Sequence, residues 1–223
     1  MNPIEHLISL LAPHQCLICK KEGSLLCQPC SFTALARSKP SCFKCMASSP
    51  SNKTCSSCLT ITPILQVWSA ALYTGTAQDL VKQLKFQRAK AAATTIATAI
   101  HQCLPRMPPD ALVCPIPTAN SRIRTRGYDQ ACLVAKHIAK LQNLKYAEPL
   151  LRISTTRQVG SSRQERFSQL ELAFKVRKPS VIYGKDILII DDVLTTGATL
   201  ESAANTLNLY KPRSIKAAVF ARA

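Results

Sequence analysis

The fold class that the sequence predicts is α/β: a mostly parallel sheet, with a small amino-terminal module of Cys-x-x-Cys knuckles. Three observations carry that expectation. Eight of the 11 cysteines form four Cys-x-x-Cys pairs between positions 16 and 58. Beyond Pro63, short strand-like apolar runs alternate with helical segments, as they do when crossover helices join parallel strands. One apolar run, Ile187 to Ile190, ends in two adjacent acids and a Thr-Thr-Gly-x-Thr turn.

The pairs are Cys16/Cys19, Cys27/Cys30, Cys42/Cys45 and Cys55/Cys58. A Cys-x-x-Cys knuckle offers two sulfurs to one tetrahedral ion, and two knuckles complete a four-cysteine zinc site. Two structural zinc ions are therefore expected. Disulfides belong to secreted chains, and four successive redox pairs would be unusual. The preferred pairing is sequential, with 16, 19, 27 and 30 on one ion and 42, 45, 55 and 58 on the other. A cross-braced arrangement that exchanges the second and third pairs uses the same residues. Neither site keeps an open position, so both are assigned to folding rather than catalysis. Cys103, Cys114 and Cys132 stand in apolar surroundings and are expected in the core.

Ser48 to Lys53 is a polar run inside the second knuckle loop, and Pro63 closes the module, which gives domains of 1–62 and 63–223. Gln66 to Tyr73 suits a strand. Thr76 to Phe86 reads as a helix with Leu80 and Leu84 on one face, and Ala91 to Cys103 as a second helix stopped by Pro105. Ala111 to Ile116 is a short buried strand. Asp129 is a candidate N-cap for a helix reaching Gln142, with Leu133, His137 and Ile138 on one face. Ile187 to Asp191 is a strand, Thr199 to Tyr210 a helix and Ile215 to Ala221 a closing strand.

The segment Asp191-Asp192-Val193-Leu194-Thr195-Thr196-Gly197-Ala198-Thr199 carries the most chemistry. Its strand delivers two acids to the carboxyl edge, where open α/β sheets bind ligands. The turn then supplies hydroxyls and closely spaced N–H groups at a helix start, which suits a phosphate dianion. Gly197 permits the close approach or positive φ that such a turn needs. Carboxylates beside a phosphate loop make sense for a ligand with hydroxyls next to its phosphate, so the segment asks for a ribose 5-phosphate.

Composition fits a soluble, folded chain of 223 residues. Hydrophobic residues reach 47%, enough for a core and too many for a disordered basic tail. No apolar run approaches the roughly 20 residues of a membrane helix. Met1 to Leu11 lacks the positive start of a signal peptide, so a cytoplasmic location without membrane insertion is expected. Lys and Arg total 29 against 12 Asp and Glu, a formal charge of +17. More than half of that excess, +9, lies in residues 111–180, and much of it is Arg. Arg favours bidentate phosphate recognition, so the middle of the chain is expected to face anions.

The 187–199 segment resembles the phosphoribosyl pyrophosphate motif of type I phosphoribosyltransferases. Pro115-Ile-Pro117, followed by Arg126-Gly127-Tyr128-Asp129-Gln130, is similar to a signature of the ComF family of competence proteins. So are Leu84-Lys85-Phe86 and the stretch from Gln158 through Gly160, Ser162-Arg163, Glu165-Arg166 and Gln169 to Ala173-Phe174. Tyr128 stands where that family usually has Phe, and Asp129 and Gln169 stand where Asn is usual. The resemblance covers essentially the whole chain and implies a type I phosphoribosyltransferase fold.

By that resemblance Asp191 and Asp192 would hold the ribose 2′- and 3′-hydroxyls, and Thr195 to Thr199 would wrap the 5-phosphate. Mg²⁺ would sit between ribose and pyrophosphate oxygens. The Pro115–Pro117 turn would face the pyrophosphate. Arg126, Arg163 and Arg166 would stabilise the departing charge, with Arg122, Arg124 and Arg157 nearby. Three functions follow: phosphoribosyl transfer to an unidentified acceptor, a grip on single-stranded DNA for the DNA-uptake machinery, or sensing of phosphoribosyl pyrophosphate without turnover.

Overall fold

The alternation of strands and helices builds five parallel strands. In the computed structural model, which describes residues 14–86, 89–153 and 173–223, these are β1 (Ile64–Leu72), β2 (Leu112–Pro115), β3 (Lys145–Tyr146), β6 (Asp186–Leu194) and β7 (Ser214–Arg222). Their order across the sheet is β1-β7-β6-β2-β3, every neighbouring pair parallel. Two further strands, β4 (Leu150–Arg152) and β5 (Phe174–Val176), form a separate antiparallel ladder.

The helices are α1 (Gln28–Ala34), α2 (Ser56–Leu59), α3 (Gly75–Phe86), α4 (Ala89–Cys103), α5 (Asn120–Arg126), α6 (Gln130–Gln142) and α7 (Ala198–Asn208). Side chains alternate along a strand, and a central parallel strand buries both faces, so it reads as a continuous apolar run. β6 shows both effects. Leu188 and Ile190 enter one core with α3, α4 and α6, whereas Ile187 and Ile189 enter a second core with α7. All four are fully buried, each contributing about 1.5–3 kcal/mol.

The cysteine-rich module divides between these cores. Leu25, Leu26 and Leu35 join the first, while Phe43 joins the second.

Several elements differ from the sequence expectation. Ladder pairing carries β6 past Asp191, since Val193 and Leu194 still pair with Ala221 and Arg222, so the irregular loop is shorter than expected. The buried stripe of α6 is Ala131, Val134, Ala135, Ile138 and Ala139, with Leu133 and His137 only half-buried at its margin. Alanines let α6 approach closely, and no single large residue marks the stripe. Neither α5 nor the β4–β5 ladder was expected. Arg157, Arg163 and Arg166, with the signature from Gln158 to Gln169, lie outside the described residues. Among the described residues, no helix is long and apolar enough to cross a membrane.

The chain leaves β2 towards β3 on one side and returns through β6 on the other. Connections diverge between β2 and β6, and the carboxyl ends of strands at such a divergence form a crevice.

Candidate functional site

A cleft of about 480 Å³ opens at that crevice. Asp191, Asp192, Val193, Thr195 and Thr199 line it from β6 and the following turn, and Pro117, Thr118 and Ala119 line it from the β2 end. Arg122 and Arg126 of α5, Lys85 of α3, Gln130 of α6 and Arg152 of β4 complete the wall. Pro115 does not reach the cleft; it is buried in the sheet, paired with Ile190.

The two acids are held differently. Asp191 Oδ1 accepts the Asp192 backbone N–H at 2.8 Å, and Asp192 Oδ1 accepts that of Val193 at 2.8 Å. Lys85 Nζ lies 2.8 Å from Asp192 Oδ2. Burial, reinforced by the neighbouring Asp192 charge, pushes the Asp191 carboxyl up to about 8. One lysine for two adjacent carboxylates leaves the pair short of positive charge, and a ligand that brings hydroxyl donors or a divalent cation would relieve it.

Gly197 makes the turn possible. Its φ of +80° is left-handed, and a Cβ there would sit 3.4 Å from Phe43 Cε2 and 3.7 Å from Leu194 Cδ1. It caps α7, where Thr196 Oγ1 accepts the Ala198 N–H at 3.4 Å. Thr195 and Thr196 are exposed, whereas Leu194 is buried beneath them. The segment thus presents hydroxyls and N–H groups outwards over an apolar base.

The opposite wall is fixed by Asp129. Its carboxylate caps α6 by accepting the Cys132 N–H at 3.3 Å, and it accepts the Thr118 N–H at 2.8 Å and the Thr118 hydroxyl at 3.0 Å. That ties the Pro115–Pro117 turn to the helix. α5 ends at Gly127, whose φ of +79° lets its N–H donate to Ile123 O at 2.7 Å. Arg122 and Arg126, one turn apart, then share a face. Tyr128 donates to Leu84 O at 2.9 Å and joins this turn to the end of α3.

Gln130 is 2% exposed, and its Nε2 has no hydrogen-bond partner. A buried, unmatched amide donor on the cleft wall fits an oxyanion ligand. A second hollow of about 530 Å³ adjoins the cleft through Lys85, Arg122 and Arg126. Phe86 lines it, 69% exposed, with the Arg126 guanidinium 5.1 Å from its ring centroid.

The cysteines meet in two groups, 16/19/27/30 and 42/45/55/58, and within each group all sulfurs lie within 4.8 Å of one another. This is the sequential arrangement. Cys19 and Cys27 Sγ are 3.6 Å apart, as are Cys45 and Cys55 Sγ, close to the ~3.8 Å edge of a tetrathiolate zinc tetrahedron. Burial pushes the Cys16 and Cys42 thiols up, but backbone N–H donors outweigh it and bring both to about 6. Hydrogen bonding from Cys27 pushes Cys30 up to about 12, and burial does the same to Cys58. Both groups could hold zinc, which would let all four sulfurs ionise together.

The remaining three cysteines belong to neither group. Burial pushes Cys103 up to about 11, Cys132 up to about 12 and Cys114 higher still.

Comparison with known proteins agrees with this architecture. The phosphoribosyl transferase domain family matches residues 129–223. The DNA utilization protein YhgH of Escherichia coli K12 is 27% identical over 213 residues, covering 89% of this chain and 92% of its own. The competence protein ComFC of Bacillus subtilis is 34% identical over 96 residues, covering 43% and 38%. The chain is similar to these DNA utilization and competence proteins. Among solved structures, the allosteric regulatory enzyme of purine biosynthesis aligns with 63% of this chain and 30% of its own at 13% identity and a TM-score of 0.46, a likeness too distant to carry more.

Of the residues expected at the site, the structure brings Asp191, Asp192, Thr195, Thr199, Pro117 and Arg126 to one cleft. Arg124 lines neither hollow. Sequence reasoning named Lys85 only within the Leu84-Lys85-Phe86 motif; in the structure Lys85 pairs with Asp192. It missed Arg152 and Gln130 as cleft residues. Gln130 closes the Arg126–Gln130 signature and so was within reach. Arg152 carried no signal beyond its basic surroundings.

Proposed function

We propose that this protein binds phosphoribosyl pyrophosphate together with Mg²⁺ in the cleft between β2 and β6, in the service of DNA uptake. The observation that carries the proposal is the convergence of two acids, a threonine-rich phosphate turn, two arginines of α5 and an unmatched buried amide on one cleft. Asp191 and Asp192 accept from the ribose diol. The Thr195–Thr199 turn receives the 5-phosphate, and Arg122, Arg126 and Gln130 face the pyrophosphate. Mg²⁺ bound with the ligand would offset charge between ribose and pyrophosphate oxygens.

Transfer breaks the bond from C1 to the pyrophosphate oxygen, which leaves with the electron pair, and an acceptor then bonds C1 and releases its proton. No side chain has to act as nucleophile. The cleft residues hold the diol and phosphate while their cations stabilise the departing charge. Pyrophosphate release on adding phosphoribosyl pyrophosphate, Mg²⁺ and a panel of bases and amines is expected. It should be absent from the Asp191→Ala/Asp192→Ala protein. No release from the unsubstituted protein across the whole panel removes the transferase half of the proposal and leaves ligand sensing.

The second hollow favours one further reading, a grip on single-stranded DNA. An exposed Phe86 beside Arg122 and Arg126 offers one stacking surface within a basic wall. Aromatic residues make up only 5% of the chain, so phosphate contacts would dominate and binding should weaken steeply with salt. A flat salt response counts against it.

A further inference from the structure

The second cysteine group touches the phosphate turn, and the first does not. Phe43, between Cys42 and Cys45, packs its ring against Gly197. Lys44 Nζ lies 2.6 Å from Glu201 Oε2 in the first turn of α7. Arg222, at the end of β7, donates to Ser41 Oγ at 2.9 Å, to Phe43 O at 2.9 Å and to Cys42 O at 3.4 Å, and also contacts Met46 Sδ. The following Ala223 N–H donates to Leu194 O at 2.9 Å, just before the turn. The knuckle therefore meets this segment at Gly197 and Glu201, while the end of β7, which Arg222 ties to the knuckle, holds Leu194.

Charge gives this contact its consequence. Arg222 is 7% exposed, and the ion pairs among the described residues do not include it. Its acceptors are neutral, whereas a buried cation needs a counter-charge. A zinc ion held by four thiolates carries a net −2, and Cys42, which contributes one of those sulfurs, also accepts from Arg222 through its carbonyl. Loaded with zinc, the second cluster would supply that counter-charge.

We infer that Arg222 and Phe43 are positioning residues that couple metal in the Cys42/Cys45/Cys55/Cys58 cluster to ligand affinity at the Thr195–Thr199 turn. The inference rests on the phosphoribosyl reading of that turn and names its regulation. Losing the metal leaves Arg222 uncompensated, frees the knuckle and loosens the turn. Linkage makes the effect reciprocal, so ligand in the turn slows metal loss from this cluster. The first cluster packs on the α4 side of the sheet, with Leu17, Cys27 and Cys30 against that core. It gives no hydrogen bond or ion pair to residues 195–201 among the described residues, so it is not coupled.

The test uses the full zinc-loaded chain and a metallochromic chelator. Adding phosphoribosyl pyrophosphate and Mg²⁺ should slow release of one of two zinc equivalents by about tenfold, the middle of the range for coupled sites. Arg222→Gln or Phe43→Ala should abolish the slowing and weaken calorimetric binding by about tenfold. Arg222→Lys, which keeps the charge but loses the fork, should restore part of both, and Leu17→Ala should change neither. A merely structural role would speed release equally with and without ligand. Should the variants not fold, the unsubstituted protein decides alone: release indifferent to bound ligand overturns the coupling. Unsubstituted protein that binds no phosphoribosyl pyrophosphate overturns the phosphoribosyl reading itself. Binding with indifferent release, or variants that bind and release like the parent, overturns the coupling only.

Discussion

The two four-cysteine clusters are built from the same knuckles yet serve opposite faces of the sheet. Around the first, Cys16, Leu25, Leu26 and Leu35 are buried in the core of α3, α4 and α6, and the main chain joins β1 where Leu72 N–H donates to Ala36 O at 2.6 Å. Around the second, Phe43 joins the core of α7 and lies beneath the phosphate turn, with Arg222 and Lys44 as fasteners. One cluster covers a helical layer; the other packs against the phosphate turn. Identical metal chemistry can thus act on stability in one place and on ligand geometry in another, because the neighbours differ.

Breaking each cluster in turn gives the largest expected contrast. Cys16→Ser and Cys42→Ser should each lose one zinc equivalent. The first should lower unfolding free energy by on the order of 5 kcal/mol while the protein that remains folded keeps its ligand affinity. The second should lose affinity in the folded fraction as well. Denaturant titration beside calorimetry separates the two effects, and equal affinity loss in both variants would erase the contrast.

Apolar truncations sharpen the comparison. Leu25→Ala and Phe43→Ala each remove a buried side chain and should cost about 3 kcal/mol, but only Phe43→Ala should also weaken ligand binding. A smaller effect is expected at Gly197, where φ is +80° and Phe43 already lies against the backbone. Gly197→Ala should cost about 1–2 kcal/mol, measurable as a lower Tm, and should disturb the turn more than the sheet.

The smallest effect depends on pH. The Asp191 carboxyl stands near 8 in the folded protein and near 4 in the unfolded chain, so the folded state holds its proton more tightly. Its contribution to stability is fully present below pH 4 and is lost as pH rises towards 8. Asp191→Asn, which keeps an acceptor for the Asp192 N–H, should therefore stabilise the protein by on the order of 1 kcal/mol at pH 8. The gain should vanish near pH 4. Thermal melts at both values check the sign, and a gain that grows on acidification would contradict it.

Much of this was legible in the sequence. Periodicity placed the helix ending at Phe86 and the strand beginning at Ile187, because both bury apolar faces that leave a repeating trace. Asp129 acts as the expected N-cap because capping is local chemistry. The four Cys-x-x-Cys pairs revealed the clusters, and the acid-rich turn revealed the cleft. Contacts set by tertiary approach were not legible. Lys85 meets Asp192 across 107 positions, and Arg222 meets Phe43 across 179. Neither pair has a spacing signal. Helix α5 was missed because its seven residues bury none of their side chains.

Calorimetry with phosphoribosyl pyrophosphate and Mg²⁺ tests the central claim most directly, run on the zinc-loaded chain alone and again with single-stranded DNA present. Saturable 1:1 binding is expected, lost in Asp191→Ala/Asp192→Ala and weakened by DNA that shares the arginine wall. No heat from the unsubstituted protein, or undiminished binding in the double variant, would contradict the assignment of the β2–β6 cleft.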